Sequence, residues 1–358
     1  MYSVSTRAVS LRQSQRLLWG AAAFLIVWSA WARAQDSAIR PVPILTGSAG
    51  YFNNVVAGET QLTSVIMPVM LVPLGDQWLV ESRGTFRAEF ERSGSENAYG
   101  DKVEKELDYL QLDYIANPRV TVTAGRFLTP FGIYNERLYP IWIRDLQTTP
   151  LIFPIGTGSS DGVMVRGGLP LSSTINLNYA TYFSAASEVP AFESQRNVGG
   201  RAGLFLTRPR VEVGGSWQKS LQGERSVAVG GHFAWQPPPI PLNFRLEYAH
   251  RYGGSGYWVE GAYRLSQIRK WNSVMRRMEL VGRMQQFFAG EEEEASDDEY
   301  QLPHSNVQQP DVGLNYYFRD GLQASASYGR WLGRRDYNVW SVGVAYRFAV
   351  PLGSVKEQ

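Results

Sequence analysis

Apolar and polar residues alternate with a period of two along most of the chain, from about residue 45 to Phe348. In the segment 78–90, Trp78 and Phe86 belong to an apolar set of one parity. Arg83 and Glu89 belong to a polar set of the other parity. Successive side chains of a strand point to opposite faces of a sheet, so the pattern predicts strands with one apolar and one polar face.

Sixteen such segments can be delimited, and most have the length of about 9–11 residues that a tilted strand needs to cross a bilayer. Two of them, 47–55 and 62–72, alternate poorly, and Pro68 interrupts the second. The segments are 47–55, 62–72, 78–91, 104–116, 119–128, 160–168, 174–184, 198–207, 211–220, 225–235, 242–251, 256–265, 275–288, 310–318, 322–331 and 339–348.

The connections between these segments alternate in length. Short turns that carry Pro or Gly lie at 117–119, 168–170, 208–210, 237–241 and 319–321. Longer polar connections lie at 92–103, 129–159, 185–197 and 289–309. Outer-membrane barrels have short periplasmic turns and long external loops. With both termini on the periplasmic side, every short turn falls on that side.

The first 34 residues have the features of a cleaved secretory signal. Arg7, Arg12 and Arg16 precede an apolar stretch of 14 residues at 17–30, and Ala32-Arg33-Ala34 supplies an A-x-A cleavage site. The alternative is a membrane anchor, but a spanning helix needs about 20 apolar residues. Removing residues 1–34 deletes four arginines and no acidic residue, which changes the formal net charge from +2 to −2. Nothing in this charge suggests a nucleic-acid partner.

The composition excludes several chemistries. The chain contains no cysteine, so disulfides, thiolate metal sites and cysteine nucleophiles are ruled out. With three histidines in 358 residues, we expect no catalytic site, no metal site and no cofactor. Only 19% of the residues are charged, against about 25% in an average soluble domain. A low charged fraction suits a protein whose outer surface faces lipid.

A soluble β-sandwich would show the same alternation, because its polar face meets water and its apolar face a core. Aromatic residues at strand ends, such as Trp78, Phe90, Trp217 and Trp340, favour the membrane, where interfacial girdles need them. We therefore predict an all-β fold, a transmembrane antiparallel β-barrel of 16 strands at 47–348. A periplasmic segment at 35–46 precedes it and a C-terminal extension at 349–358 follows it.

Two motifs resemble those of the phosphate-selective porin O and P family, and a third resembles a general signal of outer-membrane barrels. The first is Gly125-Arg126-Phe127-Leu128-Thr129-Pro130-Phe131-Gly132, similar to that family's Gly-basic-Phe…Pro-Phe-Gly signature. The second is Val312-Gly313-Leu314-Asn315-Tyr316-Tyr317-Phe318. The third, with Gly343, Tyr346 and Phe348, is similar to the C-terminal signal that the barrel-assembly machinery recognises.

The resemblance implies a 16-stranded outer-membrane barrel that forms a homotrimer and conducts anions, phosphate and other oxyanions among them. It also implies that the loop 129–159, the third external loop, folds into the lumen and constricts it. The family's cation ladder is rich in lysine. This chain differs in having five lysines, none of them in that loop.

Arginines of the polar parity are the candidate pore-lining residues, because fixed guanidinium groups in a narrow aqueous pore favour anions. The alternative is that these arginines pair with glutamates on neighbouring strands and stiffen the wall. Arg137 and Arg144 are the candidate charges of the constriction, and an external lid above the barrel is the other interpretation of their loop. The pore-lining candidates are Arg83, Arg87, Arg166, Arg245, Arg277 and Arg283.

The expected function is therefore that of an outer-membrane porin, a passive channel for small hydrophilic solutes with a preference for anions. Its other partners would be the lipid bilayer and lipopolysaccharide. Two alternatives are a structural barrel without a channel and an enzyme barrel that acts on lipid. The enzyme is disfavoured because His304, Ser305 and Asn306 are adjacent on one loop and cannot converge as a catalytic triad does. Seven acidic residues within 291–299 predict a solvated loop tip.

Overall fold

The computed structural model describes residues 42–92, 100–187, 194–223, 225–268, 272–290 and 302–352. The predicted signal at 1–34 and the acidic run at 291–299 lie outside the described residues. Within the described ranges the chain forms sixteen strands and three short helical turns. The strands are β1 (Ile44–Val56), β2 (Glu59–Leu74), β3 (Trp78–Arg92), β4 (Gly100–Asn117), β5 (Val120–Leu128), β6 (Ser159–Pro170), β7 (Ile175–Ala185), β8 (Asn197–Leu206), β9 (Val211–Ser220), β10 (Val227–Trp235), β11 (Leu242–Arg251), β12 (Gly254–Arg264), β13 (Met278–Ala289), β14 (Val307–Tyr317), β15 (Leu322–Trp331) and β16 (Tyr337–Pro351).

Each strand pairs antiparallel with its neighbours in sequence, and β1 closes the barrel by pairing with β16. The helical turns are a π-helical turn at Tyr134–Leu138, a 3₁₀ turn at Leu265–Gln267 and α1 at Asn272–Met275. No helix in the described part of the chain is long and apolar enough to cross a membrane. The prediction of a 16-stranded antiparallel barrel is confirmed.

The barrel extends three residues beyond the predicted limits at each end. Ile44 pairs with Pro351 and Thr46 with Ala349, so the ladder between the first and last strands continues past Phe348. The predicted start at residue 47 and end at residue 348 followed the apolar alternation. Backbone pairing needs no such pattern and continues beyond it.

The connections at the two ends of the barrel differ in length. The short turns predicted from Pro and Gly, such as those at 117–119 and 319–321, all join an even-numbered strand to the next odd-numbered one. They therefore lie at the end of the barrel that carries Ile44 and Pro351, called here the terminal end. The connections that include 129–158 and 186–196 lie at the opposite end.

The outward face of the barrel is apolar and carries aromatic residues near both ends. On β3, Trp78 and Phe90 are both exposed, and they lie 12 positions apart on the same face. At about 3.3 Å per residue and a tilt of about 40°, this separation spans about 30 Å, close to the thickness of a bilayer core. Trp78 contacts Tyr114 on β4 with the two rings tilted by 41° and their centroids 4.7 Å apart.

The inward face is polar and much of it is buried. Arg283 on β13 and Glu260 on β12 are 4% and 2% exposed. The apolar Val312 and Val342 of the outward face are 59% and 56% exposed. An apolar outside around a polar inside is the arrangement of a barrel that stands in lipid.

The cost in folding free energy of a charged residue on the outward face should therefore depend on how deep in the bilayer that residue lies. We expect Val312→Arg, at the centre of β14, to cost about 2–4 kcal/mol of folding free energy in lipid. Gln308→Arg, on the same face at the end of the same strand, should cost about 0–1 kcal/mol. Urea titration of the barrel refolded into lipid vesicles measures both values. Equal costs for the two variants would contradict the assignment of the outward face.

Candidate functional site: the segment inside the barrel

Residues 129–158, called here the inner segment, connect β5 to β6. Every residue of this segment except Gly158 is buried or half-buried. Its contacts are made with inward-facing side chains of strands on both sides of the barrel. An external loop in water would leave most of its residues exposed, so this segment packs as part of the protein interior.

A buried carboxylate holds the beginning of the inner segment. Glu247 on β11 accepts hydrogen bonds from the backbone N–H groups of Ile133 (3.0 Å) and Tyr134 (3.3 Å). The N–H of Gly132 donates to the Ser216 hydroxyl on β9 at 3.0 Å. Gly132 has a φ of +62°, and a Cβ at this position would overlap the Glu247 carboxylate. Only glycine fits here without strain.

Two ion pairs attach the following turn to the wall. Arg201 on β8 bonds the Glu136 carboxylate and the Gly132 carbonyl, both at 2.7 Å. Arg137 donates two hydrogen bonds of 2.8 Å to the two oxygens of Glu212 on β9. Such bidentate pairs fix geometry as well as charge. The sequence-predicted constriction residue Arg137 is therefore neutralised by a wall carboxylate.

Asp145 anchors the middle of the inner segment. Its carboxylate accepts a 2.7 Å hydrogen bond from Arg245 on β11, and its carbonyl accepts one from Asn315 on β14. Burial raises the pKa of Asp145, and the neighbouring Arg245 guanidinium opposes that rise. Farther along, Arg283 donates to the Thr148 carbonyl at 2.7 Å. These bonds satisfy backbone groups of a segment that has almost no regular structure of its own.

An apolar cluster forms between the inner segment and the wall. Tyr139 stacks on Phe153 within the segment, with centroids 5.5 Å apart, and Tyr134 meets Trp258 of β12 edge to face. The wall contributes residues from opposite parts of the barrel. The buried members of the cluster are Phe52, Val65, Met67, Phe131, Ile133, Tyr134, Leu138, Tyr139, Ile141, Ile152, Phe153, Ile155, Ala228, Ala249, Trp258, Phe287 and Ala345.

The family-like motif builds the exit from β5 into this segment. Gly125 has a φ of +117°, and a Cβ there would overlap the Leu110 carbonyl. The Arg126 guanidinium donates a 2.8 Å hydrogen bond to the Leu107 carbonyl on β4 and forms an ion pair of 3.2 Å with Asp161 on β6. Phe127 is fully buried. Pro130 and Phe131 begin the inner segment, and both are buried.

The C-terminal motif has a different role. A Cβ on Gly343 would overlap the ring of Phe52, so this glycine makes room for an inward aromatic of β1. Tyr346 faces outward and is exposed, and Phe348 pairs with Gly47 across the closing ladder.

Most sequence-predicted pore arginines have a carboxylate partner. Arg83 bonds Asp108 at 2.9 Å and Arg283 bonds Glu260 at 2.6 Å, and both arginines are buried. The half-buried ones pair as follows: Arg87 with Glu104 at 3.3 Å, Arg245 with Asp145 at 2.7 Å and Glu260 at 3.2 Å, and Arg166 with Asp113 at 3.6 Å. Arg144 differs, because it donates to the carbonyls of Tyr139 and Gln147.

Arginines at the terminal end keep more contact with solvent. The side chains of Arg166 and Arg264 are 37% and 42% exposed, whereas their partners Asp113 and Glu279 are 3% and 5% exposed. Arg277, which immediately precedes β13, is half-buried, and Arg347 is exposed. Glu81 on β3 is a half-buried carboxylate of the same wall.

Several inward residues of the wall were not identified from the sequence. Asp108 lies at an irregularity in the pairing of β3 and β4, which turns its carboxylate inward against the usual parity. Ser216 and Gln285 looked like ordinary lumen residues. Gln285 accepts a hydrogen bond from the Leu151 N–H at 2.9 Å. Although 129–159 is grouped above with the polar connections, the stretch 129–158 is rich in aliphatic and aromatic residues, and that content is a signal that this loop needs buried partners.

The residues behind the enzyme alternative lie in the connection before β14. Asn306 accepts a hydrogen bond from the Ala289 N–H at 2.9 Å, and His304 is exposed. Within the described ranges, no group of three or more His, Asp or Glu side chains is arranged to hold a metal.

The chain is similar in structure to outer-membrane porins. It matches OprB of Pseudomonas putida with a TM-score of 0.58 at 7% identity, over 86% of this chain and 93% of OprB. It matches OmpF of Salmonella typhi, solved with daunomycin, with a TM-score of 0.57 at 11% identity, over 85% and 97% of the two chains. For an anion-selective porin from Comamonas acidovorans the TM-score is 0.52 at 11% identity, over 86% and 99%. No protein-family model and no curated protein matches the chain. At these identities the likeness shows the fold alone, a closed 16-stranded antiparallel barrel.

Glu247 gives the inner segment a testable anchor. Glu247→Ala removes the acceptor of two backbone N–H groups, and a buried N–H without an acceptor costs about 1–3 kcal/mol. We expect the amides of Ile133 and Tyr134 to exchange with deuterium at least about tenfold faster, because about 1.4 kcal/mol is tenfold. Mass-spectrometric hydrogen exchange of the full chain measures this.

Glu247→Gln keeps one carbonyl acceptor at the same place and should give an intermediate rate. Glu91→Ala removes an exposed carboxylate that bonds Gln61, and should leave these amides unchanged. If these amides exchange in Glu247→Ala at the same rate as in the wild type, the Glu247 carboxylate does not hold the inner segment.

Proposed function

We propose that this chain is an outer-membrane channel for the passive diffusion of small hydrophilic solutes, with a preference for anions. Its terminal end faces the periplasm, and the inner segment narrows the lumen. The observation that carries the proposal is the closed barrel with an apolar outside and a polar inside. The structural similarity to outer-membrane porins supports a location in the outer membrane and the assignment to the class of channel proteins.

The inner segment defines where a passage runs. It contacts inward side chains of β1, β3, β8 and β9. It also contacts inward side chains of β11, β12, β13 and β14. Arg347 of β16 lies over the ring of Trp142 in the segment. On β3, β4, β6 and β7 several inward side chains stay half-exposed or exposed: Glu81, Arg87, Glu106, Arg166 and Asn178. A solute path follows this polar wall, on the side away from the apolar cluster.

The anion preference arises at the terminal end. Here Arg166, Arg264, Arg277 and Arg347 present charge to solvent, while Asp113 and Glu279 lie buried behind two of them. A mobile ion meets the guanidinium groups first, and fixed charge at a narrow opening sets selectivity. Arginine binds carboxylate and phosphate alike. The preference therefore extends to oxyanions in general, with no phosphate-specific lysine cluster in the inner segment.

A second candidate is a structural barrel whose lumen is sealed. The extent of the apolar cluster favours it, because Phe52 and Met67 on one side and Trp258 on the other all pack on the inner segment. Conductance separates the two candidates. Purified protein that inserts into planar bilayers without any current step would establish the sealed barrel.

Neutralising the terminal arginines should reduce the anion preference. We expect the variant with Arg166, Arg264, Arg277 and Arg347 all changed to Gln to lose about 1 kcal/mol of attraction for an anion, about fivefold in the anion-to-cation permeability ratio. The reversal potential under a salt gradient measures this ratio. Arg319→Gln with Arg330→Gln, two exposed arginines in or near connections, is the matched control. A cation-selective wild type would refute the preference.

The Arg137–Glu212 pair gives an independent test inside the barrel. Arg137→Ala leaves the Glu212 carboxylate uncompensated, so the reversal potential should shift toward cations. Arg137→Ala with Glu212→Ala removes both charges and should restore the wild-type value, since only the pair's net charge matters to a passing ion. Equal reversal potentials in wild type and Arg137→Ala would place this pair outside the ion path.

A further inference from the structure

A cavity at the terminal end is formed by two turns that have no role in the proposed channel, together with Arg264 and Glu279, which also belong to the channel mouth. It has a volume of about 530 Å³ and lies between the turn 237–241 and the turn 265–267. Ligand pockets of proteins usually have about 300–1,000 Å³. Its polar lining consists of two arginines, one carboxylate, three amides and a hydroxyl: Arg210, Arg264, Glu279, Gln236, Asn243, Gln267 and Ser266.

The wall of the cavity is rigid. Pro237, Pro238, Pro239 and Pro241 fix the backbone of the turn above it, since a proline ring locks φ. The Gln267 carboxamide donates to the Pro239 carbonyl at 2.9 Å and so ties the two turns together. A preformed cavity loses little conformational entropy when a ligand binds.

Two arginines give the cavity a net positive charge. The Arg264 guanidinium lies 4.2 Å from the centre of the Tyr317 ring and 3.7 Å from the Glu279 carboxylate, so it is held in place at the wall. Glu279 already accepts a 2.6 Å hydrogen bond from the Tyr317 hydroxyl. Arg210 is exposed, and its guanidinium donates to the side-chain Oε1 of Gln236 at 3.5 Å. Within the described ranges, no carboxylate lies in ion-pair distance of Arg210.

We infer that this cavity binds a small organic anion, with its oxyanion group between Arg210 and Arg264 and a hydroxyl-bearing body along the amides and Ser266. Carboxylate and phosphate both match the guanidinium fork, and amide and hydroxyl groups suit sugar-like hydroxyls. The inference rests on the proposed function for its biological place, a binding step at the periplasmic mouth of the channel. The binding itself does not depend on conduction.

Titration calorimetry of the full chain in detergent tests the site without any current. The probes are gluconate, glucose 6-phosphate and glucose, which share a hydroxylated body and differ in the charged group. We expect saturable binding of one or both anions with a Kd of about 1 mM, equivalent to about −4 kcal/mol. Glucose should bind at least about tenfold more weakly, because it cannot make the charge-assisted bonds. Which anion binds identifies the oxyanion.

Arg210→Ala with Arg264→Ala should weaken anion binding at least about tenfold, the effect of losing about 1.4 kcal/mol. Arg210→Ala alone, an exposed turn position, should weaken it severalfold with an unchanged circular dichroism spectrum. Arg319→Ala, in another turn of the same end, should bind as the wild type does. Equal binding of glucose, unchanged binding in the double variant, or no saturable binding up to about 10 mM would overturn the site. A barrel that binds these anions but passes no current would refute the channel and leave the cavity standing.

Discussion

Everything in this molecule depends on the closing ladder between β1 and β16. In lipid each unpaired backbone N–H or C=O costs several kcal/mol, so a sheet can exist there only without edges. All 13 residues of β1 find a partner on β16, from Ile44 with Pro351 to Val56 with Val339. Once the sheet is closed, alternation assigns every side chain to lipid or to an enclosed interior. The apolar outside and the charged inside follow from that single condition.

The interior enclosed by 16 strands has to be occupied by side chains, by a loop or by water. The inner segment occupies part of this interior and packs on the wall. Its backbone groups need partners because the segment has little regular structure, and the wall supplies them through Glu247, Arg283 and Asn315. The wall charges need partners for the same reason, since a buried unpaired charge is costly. The inner segment and the wall arginines are therefore one structure, stabilised by the same hydrogen bonds.

The sequence was sufficient to predict the strands, their number and the two kinds of connection, because period-two alternation and turn residues are local signals. The alternation of apolar and polar residues is least regular at 47–55 and 62–72, and the structure of β2 shows the reason for the second of these segments. On β2, Ile66 and Met70 face outward and are exposed, while Val65 and Met67 face inward against the inner segment. A strand that is apolar on both faces shows no alternation. The partners of the inner segment could not be predicted, since Glu247 lies 114 positions from Ile133 and no local pattern encodes that contact.

Counting charges does not show which member of a wall ion pair reaches solvent. Deep in the wall both members are buried, as in the pairs Arg83–Asp108 and Arg283–Glu260. Where a pair lies near the mouth, as with Arg166 and Asp113, the guanidinium is the member that reaches water. A long flexible arginine stem can reach solvent while a short carboxylate stays at the wall. The same pairing that stabilises the wall therefore leaves the guanidinium groups of Arg166 and Arg264 in contact with solvent and their carboxylate partners buried beneath them, an asymmetry that the composition does not reveal.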